Sequence, residues 1–156
     1  MTNSVILNPS KPDIRGLSLK ELEEVFKAIG EKTFRARQVF DWIYKKGATD
    51  FDAMLNLSPT LRAQLKEKFL LVCPRIVAQH LSADGTKKFL FEMTDHEKVE
   101  TVIIPAKTRA TVCVSTQAGC KFGCKFCASG IGGWTRNLTV AEIMTEVLYA
   151  KSKSHL

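Results

Sequence analysis

Residues 120–127 have the sequence Cys-Lys-Phe-Gly-Cys-Lys-Phe-Cys, which places Cys120, Cys124 and Cys127 in a C-x3-C-x2-C spacing. Thiolates are soft ligands that favour iron–sulfur clusters, zinc and copper(I). Electron-carrying clusters are usually held by four cysteines. A four-iron cluster held by only three keeps one iron without a protein ligand, and that iron can bind a small molecule. The spacing therefore predicts a 4Fe–4S cluster that takes part in chemistry.

Zinc is the main alternative metal for this loop. A closed structural zinc site needs four ligands, and Cys113, seven residues before Cys120, could supply the fourth. Zinc modules usually pair two short C-x2-C motifs, whereas this chain has one uneven triplet. The pattern favours the cluster and keeps a zinc-binding protein as the alternative.

The composition is that of a folded protein, because 45% of the 156 residues are apolar and 25% are charged. No apolar run is long enough to span a bilayer. The N-terminus lacks the basic start and long apolar stretch of a secretory signal. Five cysteines, three of them clustered, suit metal ligation in a reducing compartment better than disulfides. We therefore predict a cytoplasmic protein that does not associate with membranes.

The charge is basic around the cysteine loop. The formal net charge is +7, and no acidic residue lies between Glu100 and Glu142. The basic residues in that interval are Lys107, Arg109, Lys121, Lys125 and Arg136. This distribution predicts a polyanionic partner such as nucleic acid, although solvated surface lysines would give the same pattern. The alternative function is thus a basic, zinc-binding, RNA-associated module without enzymatic activity.

Residues 1–74 are predicted to form a small helical domain. Ser18 and Glu21 form a capping box, and Gly30 ends the apolar periodicity that follows. A second helix is predicted over about residues 34–46, and Ser58-Pro59 begins a third. The predicted buried stripes are Leu19, Leu22, Phe26 and Ile29; Val39, Phe40 and Ile43; and Leu61, Leu65 and Phe69.

Residues 75–156 are predicted to be strands followed by a helix. Strands are expected over residues 75–81, 87–93, 99–104 and 110–116, with Asp84-Gly85 as a two-residue hairpin turn. The cysteine loop follows the last strand directly. Thr139 and Glu142 form a second capping box for helix 139–152, whose apolar face is Val140, Ile143, Met144, Val147 and Leu148. The fold class is therefore mixed, α+β or α/β, with the order strand, ligand loop, helix.

One strand–loop–helix unit is not a domain, because its helix needs a parallel strand to pack beside. A (β/α) barrel repeats such units and commonly exceeds about 200 residues. The sequence therefore predicts the first unit of a (β/α) barrel that these 156 residues do not complete.

Longer stretches resemble a known family. The cysteine spacing, with Phe126 just before the last cysteine, resembles the radical S-adenosylmethionine (SAM) superfamily. Residues 99–102, 109–115, 117–120 and 136–139 are similar to the RNA adenine-C2 methyltransferases of the RlmN/Cfr group. Residues 34–38 and 42–44 resemble the accessory domain at that family's N-terminus. The resemblance covers nearly the whole chain from Arg15 onward.

The resemblance implies cofactors, chemistry and partners. Cys120, Cys124 and Cys127 would hold a 4Fe–4S cluster whose open iron binds SAM, which is cleaved to a 5′-deoxyadenosyl radical. A methylated cysteine near the family's C-terminus would carry the carbon to adenine. The substrate would be large-subunit ribosomal RNA and, in many members, transfer RNA, and the resemblance does not separate carbon-2 from carbon-8 methylation. It also implies a monomer and an electron donor such as flavodoxin.

Two further residues match catalytic positions of the family. Glu100 matches the proposed proton acceptor, and Cys113 matches the cysteine that resolves the protein–RNA adduct through a transient disulfide. From the residues alone, Glu100 would be a solvated strand residue and Cys113 a small buried hydrophobe. Strand alternation places Cys113 on the face opposite Val112 and Val114, so it need not be core.

The chain also departs from the family pattern. No cysteine follows Cys127, and the glycine-rich SAM contact expected after helix 139–152 is missing. We therefore expect the chain alone to be inactive. Gly130, Gly132 and Gly133 either let backbone approach the cluster or form a flexible turn.

The helical domain is expected to help hold folded RNA by its phosphates. The basic residues that suggest this role are Arg35, Arg37, Lys45 and Lys46. Its aromatic residues Phe34, Phe40 and Trp42 could stack on bases, but an aromatic stripe on a helix is more often core.

Overall fold

The computed structural model describes residues 11–122, 124, 126–127 and 130–154. The chain forms two compact units, Met1–Cys73 and Pro74–Leu156. Within the described residues, no helix is both long and apolar enough to cross a membrane.

The described residues of the first unit, from Lys11 onward, form three α-helices, as predicted. They are α1 (Leu19–Ala28), α2 (Thr33–Tyr44) and α3 (Pro59–Lys68), with 3₁₀ turns at Ile14–Gly16 and Phe51–Ala53. The Ser18–Glu21 capping box is present in both directions, and the Ser58 hydroxyl accepts a hydrogen bond from the Leu61 N–H. Helix α2 ends two residues before the predicted Lys46, and Gly47 follows with a φ of 68°.

The core of the first unit is formed by the predicted stripes together with the segments between the helices. The stripe residues Leu22, Phe26, Val39, Ile43, Leu61, Leu65 and Phe69 are buried. Leu19, Ile29 and Phe40 are only half-buried. Phe51, Met54 and Leu57, from the α2–α3 connection, complete the core.

A buried ion pair joins the two ends of this unit. Asp13 binds the guanidinium of Arg15 at 2.7 Å, with the two side chains 16% and 6% exposed. The same carboxylate oxygen, Oδ2, also accepts from the Val72 N–H, and Arg15 donates to the Val72 carbonyl. Backbone bonds from Ile14 to Leu70 and from Leu70 to Pro12 form a parallel bridge. The pair therefore fixes the chain entering the unit against the chain leaving it.

Asp13→Ala is expected to destabilise the first unit by about 3 kcal/mol, because it leaves a buried guanidinium without its counterion. Urea unfolding in a Trp134→Phe background measures this, since Trp42 then reports on the first unit alone. The control is Lys27→Ala, which breaks an exposed pair with Glu24 and should change stability by under about 0.5 kcal/mol. Equal effects of the two substitutions would contradict the assignment.

The second unit begins with a four-stranded antiparallel sheet in the order β1-β2-β3-β4. The strands are β1 (Arg75–Leu81), β2 (Lys87–Glu92), β3 (Lys98–Pro105) and β4 (Ala110–Cys113). The predicted two-residue turn at Asp84-Gly85 is wrong. Ser82 and Thr86 still pair, and Gly85 donates to the Ser82 carbonyl, so the turn has three residues, with Gly85 at a φ of 84°.

The predicted strand 110–116 is also wrong beyond Cys113. The Ser115 hydroxyl takes the place of a backbone partner, accepting from the Glu100 N–H and donating to the Glu100 carbonyl. The chain then turns into a separate two-stranded antiparallel sheet, β5 (Gln117–Gly119) and β6 (Trp134–Asn137). The observed order is therefore strand, loop, strand, helix, and the cysteine loop connects β5 to β6.

Helix α4 (Val140–Lys153) begins at the predicted Thr139–Glu142 capping box. Its apolar face was predicted only in part, because Val140 is 61% and Val147 36% exposed. The buried residues are instead Ala141, Thr145, Glu146 and Ala150. Tyr149 lies edge-on to Phe89 and Phe91, 5.1 Å from each ring centre. The helix thus covers the face of the sheet that carries Val99, Thr101 and Ile103.

Candidate metal centre

The three clustered cysteines lie in the connection between β5 and β6. Cys120 directly follows β5, and its N–H donates to the Gly133 carbonyl at 2.9 Å. Tight turns follow, in which the Cys127 N–H donates to the Cys124 carbonyl and the Gly130 N–H to the Cys127 carbonyl. The short β5–β6 ladder therefore holds both ends of the loop, because Ala118 pairs with Arg136 and Gly119 with Trp134.

All five cysteines are free thiols. Cys124 is exposed, and Cys120 and Cys127 are half-buried. Among the described residues, no three His, Cys, Asp or Glu side chains are gathered in a position to hold a metal. The donor set fits an iron–sulfur cluster in number and softness, since three reduced thiols share one exposed loop. Cys113 lies on β4, so the structure brings it to the neighbouring sheet and not into a four-cysteine site.

Close backbone packing at the base of the loop requires glycine. Gly119 has a φ of 74°, and a Cβ built there would lie 2.0 Å from the Gly133 carbonyl oxygen. A Cβ on Gly130 would lie 3.2 Å from the Phe122 carbonyl oxygen. Gly130 thus meets the cysteine loop's own backbone, whereas Gly132 has open space around it.

The described part of the loop presents apolar side chains. Phe122 is 75%, Phe126 94% and Ile131 85% exposed. Lys121 lies over the Trp134 ring, 4.3 Å from its centre, and Lys125 lies outside the described residues. The described part of the loop therefore has an apolar surface in spite of Lys121.

Arg136 links the end of the loop to two other elements. Its guanidinium binds Glu142 through two hydrogen bonds, at 2.8 and 2.9 Å, and Asp95, in the β2–β3 turn, at 2.6 Å. The bond from Arg136 holds the pKa of Asp95 below its usual value. Burial would raise the pKa of Glu142, but bonds from Arg136 and Thr139 outweigh it and lower that pKa. Arg136 is thus structural and not a free contact for a polyanion.

Arg136→Met is expected to destabilise the second unit by about 2 kcal/mol at pH 7, because charge-assisted bonds to two carboxylates are lost. Partial exposure keeps the cost below that of a fully buried pair. Since the folded-state pKa values of Asp95 and Glu142 are lowered, their contribution is present above about pH 4.5 and is lost as the pH falls through the lowered values. The difference in the free energy of unfolding between the wild type and Arg136→Met should therefore become smaller in acid.

Urea unfolding followed by Trp134 fluorescence in a Trp42→Phe background measures this difference at each pH. Arg75→Met is the control, because Arg75 is exposed and its atoms stay 3.8 Å from Glu92. A difference for Arg136→Met that becomes larger in acid would contradict the assignment.

Glu100 and Cys113 lie on the same face of the main sheet. Cys113 pairs directly with Val102, and Val102 is two residues from Glu100 on β3, so the three side chains share a face. Both Glu100 and Cys113 are exposed, so the interpretation of Cys113 as a buried hydrophobe is wrong. Glu100 forms an ion pair with Lys88 at 3.0 Å. The structure thus brings together the two residues that family resemblance singles out.

Basic residues also line a cleft elsewhere on the second unit. Lys87, Arg109 and Lys153 line a cleft of about 200 Å³ together with Ile103 and Pro105. No acidic residue lines it among the described residues. Such a cleft favours anions.

In the first unit, the aromatic residues of α2 are not all core. Phe34 is 50% exposed, with Arg35 over its ring. Trp42 donates to the side chain of Asn56 and carries Lys46 over its face, 3.8 Å from the ring centre. Lys45 pairs with Asp41, so Arg37, on α2, and Lys46, just after the helix, are the better placed cations here.

Sequence reasoning missed three residues. Gly119 lies at the base of the cysteine loop, and Ser115 and Glu146 lie beside the strand that carries Glu100. Gly119 immediately precedes the first cysteine, which was a usable signal of tight backbone. Ser115 gave no signal, because serine is unremarkable near a strand end. Glu146 interrupts the apolar positions of α4, and an acidic residue among Ile143, Val147 and Ala150 could have indicated a buried partner.

Comparisons with known proteins find RNA methyltransferases similar to this chain. Residues 12–71 match the family model described as ribosomal RNA large subunit methyltransferase N-terminal domain. The chain is 48% identical over 144 residues to the dual-specificity RNA methyltransferase RlmN of Acidiphilium cryptum, covering 91% of this chain and 37% of that protein. It is 46% identical to RlmN of Francisella tularensis subsp. novicida, covering 92% of this chain and 39% of that protein.

A solved structure shows the same likeness. The crystal structure of a radical SAM methyltransferase from Sphaerobacter thermophilus matches with a TM-score of 0.85 at 43% identity, covering 91% of this chain and 42% of that one. The chain spans about two fifths of the length of the curated relatives it matches. Residues 12–71 therefore belong to the family of ribosomal RNA large subunit methyltransferase N-terminal domains, and the chain as a whole is similar to part of the RlmN-type RNA methyltransferases.

Proposed function

We propose that this chain is part of a radical SAM methyltransferase that acts on RNA, with carbon 2 of adenine as its target. The substrates would be large-subunit ribosomal RNA and transfer RNA. The observation that carries the proposal is the 46–48% identity to dual-specificity RNA methyltransferases in a chain whose clustered cysteines are all free thiols.

Cys120, Cys124 and Cys127 would hold a 4Fe–4S cluster, and SAM would bind its open iron. When bound, the cluster supplies the electron that cleaves the sulfonium of SAM. The chain's own contribution is positional. The β5–β6 ladder fixes Cys120 through its bond to Gly133. The exposed apolar side chains around the loop would lower the local dielectric constant when other groups pack over them and exclude water.

Glu100 would accept a proton from the adenine carbon of the protein–RNA adduct, and Cys113 would resolve that adduct. Their shared, exposed sheet face supports these roles, because both must reach the same adduct. The Lys88–Glu100 pair is about half exposed on both sides. Such pairs contribute about 0–1 kcal/mol, so a substrate can displace Lys88 at little cost.

The first unit would be an RNA-binding accessory domain. Arg37, on α2, and Lys46, two residues after it, are exposed, and the half-exposed Phe34 offers a stacking surface. The cleft of Lys87, Arg109 and Lys153 would contact phosphates from the second unit. We further propose that β5, the cysteine loop and α4 begin the (β/α) barrel, and that the protein is a cytoplasmic monomer reduced by a flavodoxin-type donor.

These 156 residues contain no cysteine after Cys127. The methyl-carrying residue is therefore not among them, and the chain alone should bind a cluster without completing turnover.

The test is spectroscopic. The chain is assembled without oxygen from ferrous iron and sulfide, reduced, and examined by electron paramagnetic resonance before and after SAM is added. A brown protein whose reduced signal changes with SAM supports the proposal. A colourless protein that retains one tightly bound zinc contradicts it and indicates the zinc-binding module.

A further inference from the structure

Helix α4 carries a buried carboxyl group that the proposed chemistry does not use. The Glu146 side chain is fully buried, with 0% exposure. Its Oε2 accepts a hydrogen bond from the Thr101 hydroxyl and another, at 3.0 Å, from the Ser115 backbone N–H. Its Oε1 has no hydrogen-bond partner among the described residues. Burying a carboxyl group costs free energy unless it is hydrogen-bonded, and within the described part of the chain only one of the two oxygens is.

Both hydrogen-bond partners of Glu146 are direct neighbours of Glu100. Thr101 is the next residue along β3, and it is itself fully buried. Ser115 lies across the sheet from Glu100 and brackets its backbone, since its hydroxyl accepts from the Glu100 N–H at 3.3 Å and donates to the Glu100 carbonyl at 2.9 Å. One carboxyl group on the inner face of the sheet therefore fixes the strand whose outer face presents Glu100.

We propose that Glu146 is a positioning residue, which holds Glu100 and the end of the Cys113 strand in place from the opposite face of the sheet. The proposal rests on the proposed function, because it assumes that Glu100 and Cys113 act on the substrate. Since α4 follows the cysteine loop and β6, this contact also ties the position of Glu100 to the element that leaves the candidate metal centre.

The burial of Glu146 disfavours the charged form of its carboxyl group. Burial raises the pKa of Glu146, the nearby Glu142 charge raises it further, and the bonds from Thr101 and Ser115 only partly oppose the rise. Glutamine has the same shape as the protonated acid and keeps an oxygen that can accept both bonds. Glu146→Gln should therefore preserve the contact, whereas Glu146→Asp shortens the side chain by one methylene and should not.

The test is amide hydrogen exchange of the cluster-free chain, followed residue by residue by NMR. Glu146→Ala should accelerate exchange at Ser115 and Glu100 about tenfold, which is the loss of one hydrogen bond to an acidic group. Exchange at Phe91, in the neighbouring strand β2, should change less than twofold. Glu146→Gln should restore both amides, and Glu146→Asp should leave them fast.

Unchanged exchange at Ser115 and Glu100 in Glu146→Ala would overturn the proposal, as would equal acceleration at Phe91. Should Glu146→Ala fail to fold, the glutamine and aspartate variants decide, because equal behaviour of the two would overturn it. The measurement needs no cluster, so its failure is distinct from failure of the proposed function, which the spectroscopic test reports separately.

Discussion

Cys124→Ser is expected to abolish iron–sulfur cluster binding by this chain. Cys124 is the middle of the three cysteines and the exposed one, and a serine hydroxyl is a poor ligand for iron in a thiolate cluster. With only two thiolates left in the loop, the cluster should not survive desalting after anoxic assembly. The measurement is the visible absorbance and the iron content of the desalted protein.

Two matched variants make this prediction specific. Cys73→Ser removes an exposed cysteine of the first unit and should leave the cluster intact. Cys113→Ser should also leave it intact, because Cys113 lies on β4 and is not part of the loop. If Cys113→Ser lost the metal as completely as Cys124→Ser, the result would contradict the three-cysteine cluster and indicate a four-cysteine zinc site.

Gly119→Ala is expected to have the largest effect on stability of any glycine substitution near the loop. Its φ of 74° disfavours any side chain, and the new Cβ would lie 2.0 Å from the Gly133 oxygen and 3.1 Å from the Trp134 Cα. Backbone strain alone costs about 1–2 kcal/mol, and backbone atoms of β6 must also move. We expect a total loss of about 3 kcal/mol or more, with much weaker cluster binding because Cys120 is displaced from Gly133.

Two control glycines separate the cost of backbone strain from the cost of the steric clash. Gly132→Ala meets no atom within 4 Å, and Gly47→Ala meets none either but has a φ of 68°. The first should be nearly neutral, and the second should cost only the strain. Unfolding followed by Trp134 fluorescence in a Trp42→Phe background compares the two loop variants. A Gly119→Ala protein as stable as Gly132→Ala would show that this close approach is not present in solution.

The helices were predictable because their ends are encoded locally. Ser18 with Glu21 and Thr139 with Glu142 satisfy amides within four residues, so the capping boxes are visible in sequence and present in the structure. Pro59 begins α3 for the same kind of local reason. The first strand, residues 75–81, was likewise predicted with its observed bounds.

The β5–β6 sheet was not predictable from periodicity. Its strands have three and four residues, which is too short for alternation to be recognised. Their pairing depends on Gly119 approaching Gly133, a contact between residues fourteen positions apart. The predicted strand end at residue 116 failed because Ser115 uses its side chain in place of the backbone ladder.

The cysteines of the site were visible in sequence, but their surroundings were not. Spacing identifies Cys120, Cys124 and Cys127 because ligand chemistry depends on residue type and number. The burial of Glu146 depends on Thr101 and Ser115, which lie 45 and 31 residues away. Helical spacing places Glu146 among the apolar positions of α4, but the sequence does not name its partners, so only the fold shows which groups it contacts.

Elemental composition tests directly whether three cysteines hold a cluster with one iron free of protein sulfur. Iron, zinc and acid-labile sulfide are measured in the wild-type chain after anoxic assembly and desalting. We expect about four iron and four sulfide ions per chain, without zinc. A chain that holds one zinc ion and no inorganic sulfide would contradict a three-cysteine cluster.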